Sequence, residues 1–154
     1  LVGSEMCIRD RYAHWANNGQ ITGNTIAFNG EIGIEMQCCK NSYITGNIIS
    51  DNGVYGIFLR GASDRNTITG GNVIRQNAIG VQINESKRNL ISKNNFIANI
   101  DHASFYNAFL TTWRRNYWDD RMVFLPEVIR GTIGKRQFPW VNFDWFTMRR
   151  PFDH

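Results

Sequence analysis

The chain has 154 residues, a formal charge of +4, 42% hydrophobic and 13% aromatic content, enough for one domain or a piece of one. No apolar run approaches the roughly 20 residues of a membrane-spanning helix. The balance is mildly basic without any nucleic-acid-binding motif, so neither a bilayer nor a nucleic acid is implied as partner.

The opening segment Leu1–Asp10, LVGSEMCIRD, resembles a translated read-2 adapter of transposase-based sequencing libraries, whose last two bases would open the codon of Arg11. Residues 1–11 are therefore expected to be adapter-derived, with the reading frame starting inside a gene. Cys7 then leaves the count, and only Cys38 and Cys39 remain.

Residues 12–112 read as coils of 22–25 residues. Ile21-Thr22-Gly23-Asn24 returns as Ile44-Thr45-Gly46-Asn47, as Ile68-Thr69-Gly70-Gly71-Asn72 and as Ile91-Ser92-Lys93-Asn94. Other columns keep step: Ile26, Ile49, Ile74 and Phe96; Asn29, Asn52, Asn77 and Asn99; and Gly33-Ile34, Gly56-Ile57 and Gly80-Val81, followed by Met36, Leu59 or Ile83. A small residue precedes each leading isoleucine by five positions: Ala16, Cys39, Ser63 and Ser86.

Each copy holds short β-branched segments punctuated by Asn, Gly, Ser or Asp, too short for helices. The period is too short for a two-helix repeat, and the leucine-rich pattern is missing. Three short strands and three bends per copy match one coil of a parallel β-helix. Equal spacing then stacks like on like about 4.8 Å apart. Isoleucine fills the interior, asparagines bond along the axis, and Asn and Gly suit left-handed bends. The fold class is all-β, a right-handed parallel β-helix. An aspartate in place of Ile44 or Ile68 should unfold it.

The repeat fades after Asn99, and residues 113–154 turn aromatic, with Trp113, Tyr117, Trp118, Phe124, Phe138, Trp140, Phe143, Trp145, Phe146 and Phe152. A solenoid's last coil exposes its interior and unpaired strands, so this segment reads as an irregular cap. The alternative is a platform on which exposed rings stack against sugars.

The four coils, then Asn94-Asn95-Phe96-Ile97, Asn116-Tyr117-Trp118, Gly131-Thr132-Ile133-Gly134 and Phe138-Pro139-Trp140-Val141-Asn142-Phe143-Asp144-Trp145, resemble the NosD-like family of right-handed β-helix proteins. The resemblance covers residues 17–154 as a C-terminal fragment. It implies a secreted, periplasmic or surface-attached protein, associated with carbohydrate binding or hydrolysis and sometimes with copper. Fold alone does not fix activity.

Glycan cleavage or elimination needs acid–base groups around one bond. The repeat offers Glu31, Glu35, Asp51, Asp64, Glu85 and Asp101, and only Asp64 and Glu85 occupy similar turns. Asp119-Asp120 reads as a solvated turn, and His14, His102 and His154 fall in different columns. No catalytic residue, cofactor or metal ligand is assigned. Soft thiolates would suit Cu(I), but Cys39 lies in the small-residue column and the Cys38-Cys39 pair reads as packing.

The surface feature singled out is a basic stripe, Lys40, Arg65 and Arg88 at one bend of successive coils with Lys87 beside the last. Charge complementarity would suit an anionic polysaccharide; a solvated edge that discourages aggregation is the plainer account. The expected role is an extracytoplasmic structural or carbohydrate-binding module. The rivals are a polysaccharide-active enzyme with catalytic coils upstream and an accessory protein in copper-enzyme maturation.

Overall fold

The computed structural model describes residues 5–6, 11–14, 16–120 and 125–153. Most of Leu1–Asp10, together with Phe124 and His154, lies outside them. The described part of the opening segment, Glu5–Met6, is paired in parallel with Thr25–Ala27.

The chain is an all-β, right-handed parallel β-helix of about 5 turns, with no helix among the described residues. Right-handedness is the rule for a strand that crosses over to a parallel neighbour. Three ladders run along the axis. Ladder A stacks Gln20–Thr22, Tyr43–Thr45, Thr67–Thr69, Leu90–Ser92 and Thr112–Arg114. Ladder B stacks Thr25–Ala27, Ile48–Ser50, Val73–Arg75, Asn95–Ile97 and Tyr117–Trp118. Ladder C stacks Arg11–His14, Ile32–Gln37, Tyr55–Arg60, Ile79–Asn84 and Asp101–Tyr106.

The apolar columns follow the sequence spacing. Ile21, Ile44, Ile68 and Ile91 pair in register and end on Trp113. Ile26, Ile49, Ile74 and Phe96 end on Trp118, whose ring stacks on Phe96 at 4.2 Å and 7°. These side chains form one continuous buried core.

Polar residues occupy the inner corners in chains of hydrogen bonds. The Nδ2 of Asn29, Asn52 and Asn77 donates to the Oδ1 of Asn52, Asn77 and Asn99 in turn. A second chain runs through Asn24, Asn47, Asn72, Asn94 and Asn116. Each link satisfies buried groups that would otherwise cost about 1–3 kcal/mol apiece.

The bends differ from expectation in one respect. The left-handed residue is the one before each inward asparagine: Phe28, Asp51, Gln76 and Ala98 at one bend, Gly23, Gly46, Gly71, Lys93 and Arg115 at another. The asparagine's own corner role is to aim its amide along the axis. At the third bend the left-handed residues are Asn18, Asn41, Arg65, Arg88 and Leu110.

The closing segment is more regular than an irregular cap. Glu127–Ile133 continues ladder C, then turns back antiparallel as Phe138–Asp144, which reaches ladder A where Asp144 pairs with Trp113. β-Branched residues favour these strands, and Gly134 supplies the left-handed turn. The hairpin thus bridges two ladders across the end of the stack. It buries Ile129 and Asp144 but leaves Phe138, Trp140, Trp145 and Phe146 more than half exposed. Part of the aromatic tail caps the core, with Trp113 and Trp118 buried, and part faces solvent.

Candidate functional site

The basic stripe resolves into two neighbouring columns. Backbone bonds from Asn18 to Lys40, Asn41 to Asp64, Arg65 to Lys87 and Arg88 to Phe109 set the register. Arg65 and Arg88 therefore share the left-handed column, while Lys40 and Lys87 lie in the adjacent one with Asp64 between them. The four residues are thus at one bend but not in one stack: Lys40, Asp64 and Lys87 each precede a leading isoleucine by four positions, Arg65 and Arg88 by three. Asp64 is buried and accepts the Lys87 backbone N–H at 2.9 Å. Asp64 and Glu85 line one cleft of about 460 Å³ with Lys87 and Phe109.

Arg65 and Arg88 border the outer face of ladder A. That face carries Thr22, Thr45, Thr69 and Ser92 in one row, closed by Arg114, and Thr67, Leu90 and Thr112 in the other. The Thr69 and Ser92 hydroxyls are 3.0 Å apart. The far edge holds Lys93 and Arg115, which replace glycines of the earlier coils at a left-handed position. Left-handed backbone costs a residue with a Cβ roughly 1–2 kcal/mol, so the basic side chains stand there against local preference. Thr67, Thr69, Leu90, Ser92, Lys93, Arg114, Arg115 and Phe146 line a cleft of about 420 Å³. The result is a hydroxyl-bearing shelf between two basic rims. Among the described residues none of Arg65, Arg88, Lys93, Arg114 and Arg115 forms an ion pair, and all five are exposed.

On ladder C the last coil assembles a cluster that sequence reasoning missed. His102 stands opposite Gly80, in the column of Gly33 and Gly56. A Cβ at Gly56 would meet the Gly80 carbonyl at 2.6 Å and Asn77 at 2.9 Å, so the glycine column inside the stack has no room for a side chain, whereas His102 is followed by the hairpin strand Glu127–Ile133. His102 is buried, edge-on to Phe96 and Trp118. Its Nε2 lies 2.8 Å from Asp119 Oδ1 and 3.1 Å from Asp120 Oδ1. Asp119 Oδ2 also accepts the Ala98 N–H at 2.7 Å. The Asp119-Asp120 turn is thus more than a solvated one, and continuing the glycine column by one coil would have pointed to His102.

Asp101, Asp120, Glu127 and Arg130 share a cleft of about 330 Å³ with His102. Burial pushes the Asp101 and Glu127 carboxyls up; Asp120 adds to this, and His102 opposes it.

The copper association implied by the resemblance can be set against these groups. Cys39 is fully buried, its backbone N–H donates to Ser63 Oγ, and its thiol faces the Gln37 carbonyl. Burial pushes that thiol up, away from the thiolate a soft metal needs. His102, Asp119 and Asp120 hold ligand atoms within 4.8 Å of one another. However, the Asn99 amide nitrogen stands 3.1 Å from His102 Nδ1, and Asn99 Oδ1 is already taken by Asn77. Nδ1 is therefore the acceptor, and the ring proton sits on Nε2. A metal on Nε2 would move that proton to Nδ1, against an N–H donor, the reverse of the usual outer-sphere arrangement. Neither set fits copper.

Two solved structures share the fold: a double mutant of the periplasmic alginate epimerase AlgG, with 24% identity and a TM-score of 0.58, and a single mutant of it, with 22% and 0.56. Each match covers 69% of this chain and 31% of the other, so the chain spans about a third of their length. No curated protein matches the sequence. Residues 6–131 match the family model described as periplasmic copper-binding protein (NosD), and with most of its coils inside that match the chain belongs to the NosD family.

Proposed function

We propose that the chain is an extracytoplasmic β-helix module that binds an acidic polysaccharide along the outer face of ladder A. The carrying observation is the pair of basic rims, Arg65 and Arg88 on one side and Lys93 and Arg115 on the other, around a face of hydroxyls free of acids. Lys40 and Lys87, one column further out, extend the positive field without lining the shelf. A periplasmic family description supports the location, and an alginate epimerase among the neighbours supports a polyanionic glycan. That likeness also favours a second reading, a polysaccharide-active enzyme whose catalytic coils lie outside this chain.

Affinity electrophoresis of the full chain tests the binding. Retardation is expected in gels containing alginate, absent with a neutral glucan, and weakened by salt as the rims are screened. An Arg65→Gln/Arg88→Gln/Lys93→Gly/Arg115→Gly variant should migrate freely. Equal retardation of the variant and the parent would remove the shelf from consideration.

A further inference from the structure

We infer that Phe146, with Arg114 and Arg115, forms a discrete subsite for one uronic-acid residue at the C-terminal end of the shelf. This rests on the glycan-binding reading and adds the chemistry of the sugar it selects. Phe146 is 72% exposed, an orientation that the hydrophobic effect opposes. It is nonetheless held in place. Its backbone N–H donates to Asp144 Oδ1 at 3.2 Å, and the Arg115 N–H donates to the same oxygen at 3.0 Å. One buried carboxylate therefore holds the backbones of Phe146 and Arg115 side by side. Phe146, Arg114, Arg115, Ser92 and Thr69 line a single cleft.

These groups match the parts of a uronic acid. A pyranose ring presents an apolar C–H face, which packs on an aromatic ring. Its carboxylate projects from the ring edge, where a planar guanidinium donates two parallel hydrogen bonds to it. Its hydroxyls meet Ser92 and Thr69. A neutral hexose would keep the stacking and lose the charged contact. Arg115 occupies a left-handed position that is glycine at Gly23, Gly46 and Gly71. Replacing it with glycine therefore removes the charge without disturbing the bend.

Isothermal titration of the full chain with a six-residue oligouronate, and with the same oligosaccharide after carboxyl reduction, tests the subsite. Phe146→Ala should weaken both ligands about 3- to 10-fold, the range of one aromatic contact. Arg115→Gly should weaken the acidic ligand by about tenfold, the scale of one charge-assisted bond, and leave the reduced one unchanged. Both variants should melt at or above the parent temperature, which separates lost binding from lost folding. Parent-like affinity of Phe146→Ala for the oligouronate would overturn the subsite while leaving the shelf intact. Arg115→Gly weakening both ligands equally would overturn the assignment of the carboxylate. A parent chain that binds neither ligand would sink the glycan-binding reading and the subsite with it.

Discussion

Asp144→Asn is the sharpest test of how the stack is closed. Asp144 is fully buried and accepts five hydrogen bonds: Oδ1 from the Arg115 and Phe146 backbone N–H groups, Oδ2 from Asn116 N, Asn116 Nδ2 and the Trp118 indole. An asparagine ladder always ends on an amide that still has protons to donate. At Asn116 one carboxylate arm of Asp144 takes that proton and the other is left to accept the Arg115 and Phe146 amides. In the variant one arm becomes a donor. The cheaper orientation places it at Oδ1, where it faces two N–H groups that water can partly reach, costing about 1 kcal/mol each. The other three bonds fall from charge-assisted to neutral, losing about 0.5–1 kcal/mol each. Relief of the buried charge offsets part of this, leaving a net loss of about 2–4 kcal/mol. Urea unfolding at neutral pH, followed by tryptophan fluorescence and circular dichroism, measures it. An early fluorescence transition would mark the hairpin lifting before the coils. A change below about 1 kcal/mol, with a single transition, would refute the role given to this carboxylate.

Two other perturbations follow from the same geometry. Ile44→Asp or Ile68→Asp places a carboxylate in a fully buried isoleucine column, at a cost of several kcal/mol against a total stability of about 5–15; a cooperative melt near the parent temperature would show the column to be misregistered. Burial first, and the neighbouring Asp120 second, hold the Glu127 carboxyl above its ordinary range. The folded chain thus keeps that proton more tightly than the unfolded one. The resulting stability is complete below the unfolded carboxyl range and lost as pH rises through the raised value. Glu127→Gln should therefore melt above the parent at neutral pH, with the gap closing in acid; a gap that widens in acid would reverse the sign.

The coils were legible because a constant spacing carries every column at once: Ile21 over Ile44 and Asn29 over Asn52 are facts of counting. The basic stripe was legible only to within one residue. Lys40 and Arg65 lie on the same bend, but counting back from Ile44 and Ile68 puts Asp64 rather than Arg65 over Lys40, as the backbone pairing does. Asp144 was out of reach. It follows Asn116 by 28 residues, outside the coil spacing, and arrives through an antiparallel hairpin rather than another coil.

What escaped the repeat is concentrated at one end, for a physical reason. Inside the stack each position is constrained by a like residue on both sides: a side chain in the glycine column would strike the next carbonyl, and a ladder asparagine needs a matching amide. On the last coil one neighbour is the closing hairpin rather than another repeat. There glycine gives way to His102, isoleucine to Trp113 and Trp118, the ladder asparagine to Asp144, and the bend glycine to Arg115. These changes, begun one coil earlier at Phe96 and Lys93, bring rings, cations and carboxylates together. Asp144 links the two consequences, since one carboxylate both ends the asparagine ladder and anchors Phe146 and Arg115 beside the shelf. Loss of the ladder's terminator should therefore weaken the glycan site even where the coils stay folded, a coupling that a binding site built on an independent loop would not show.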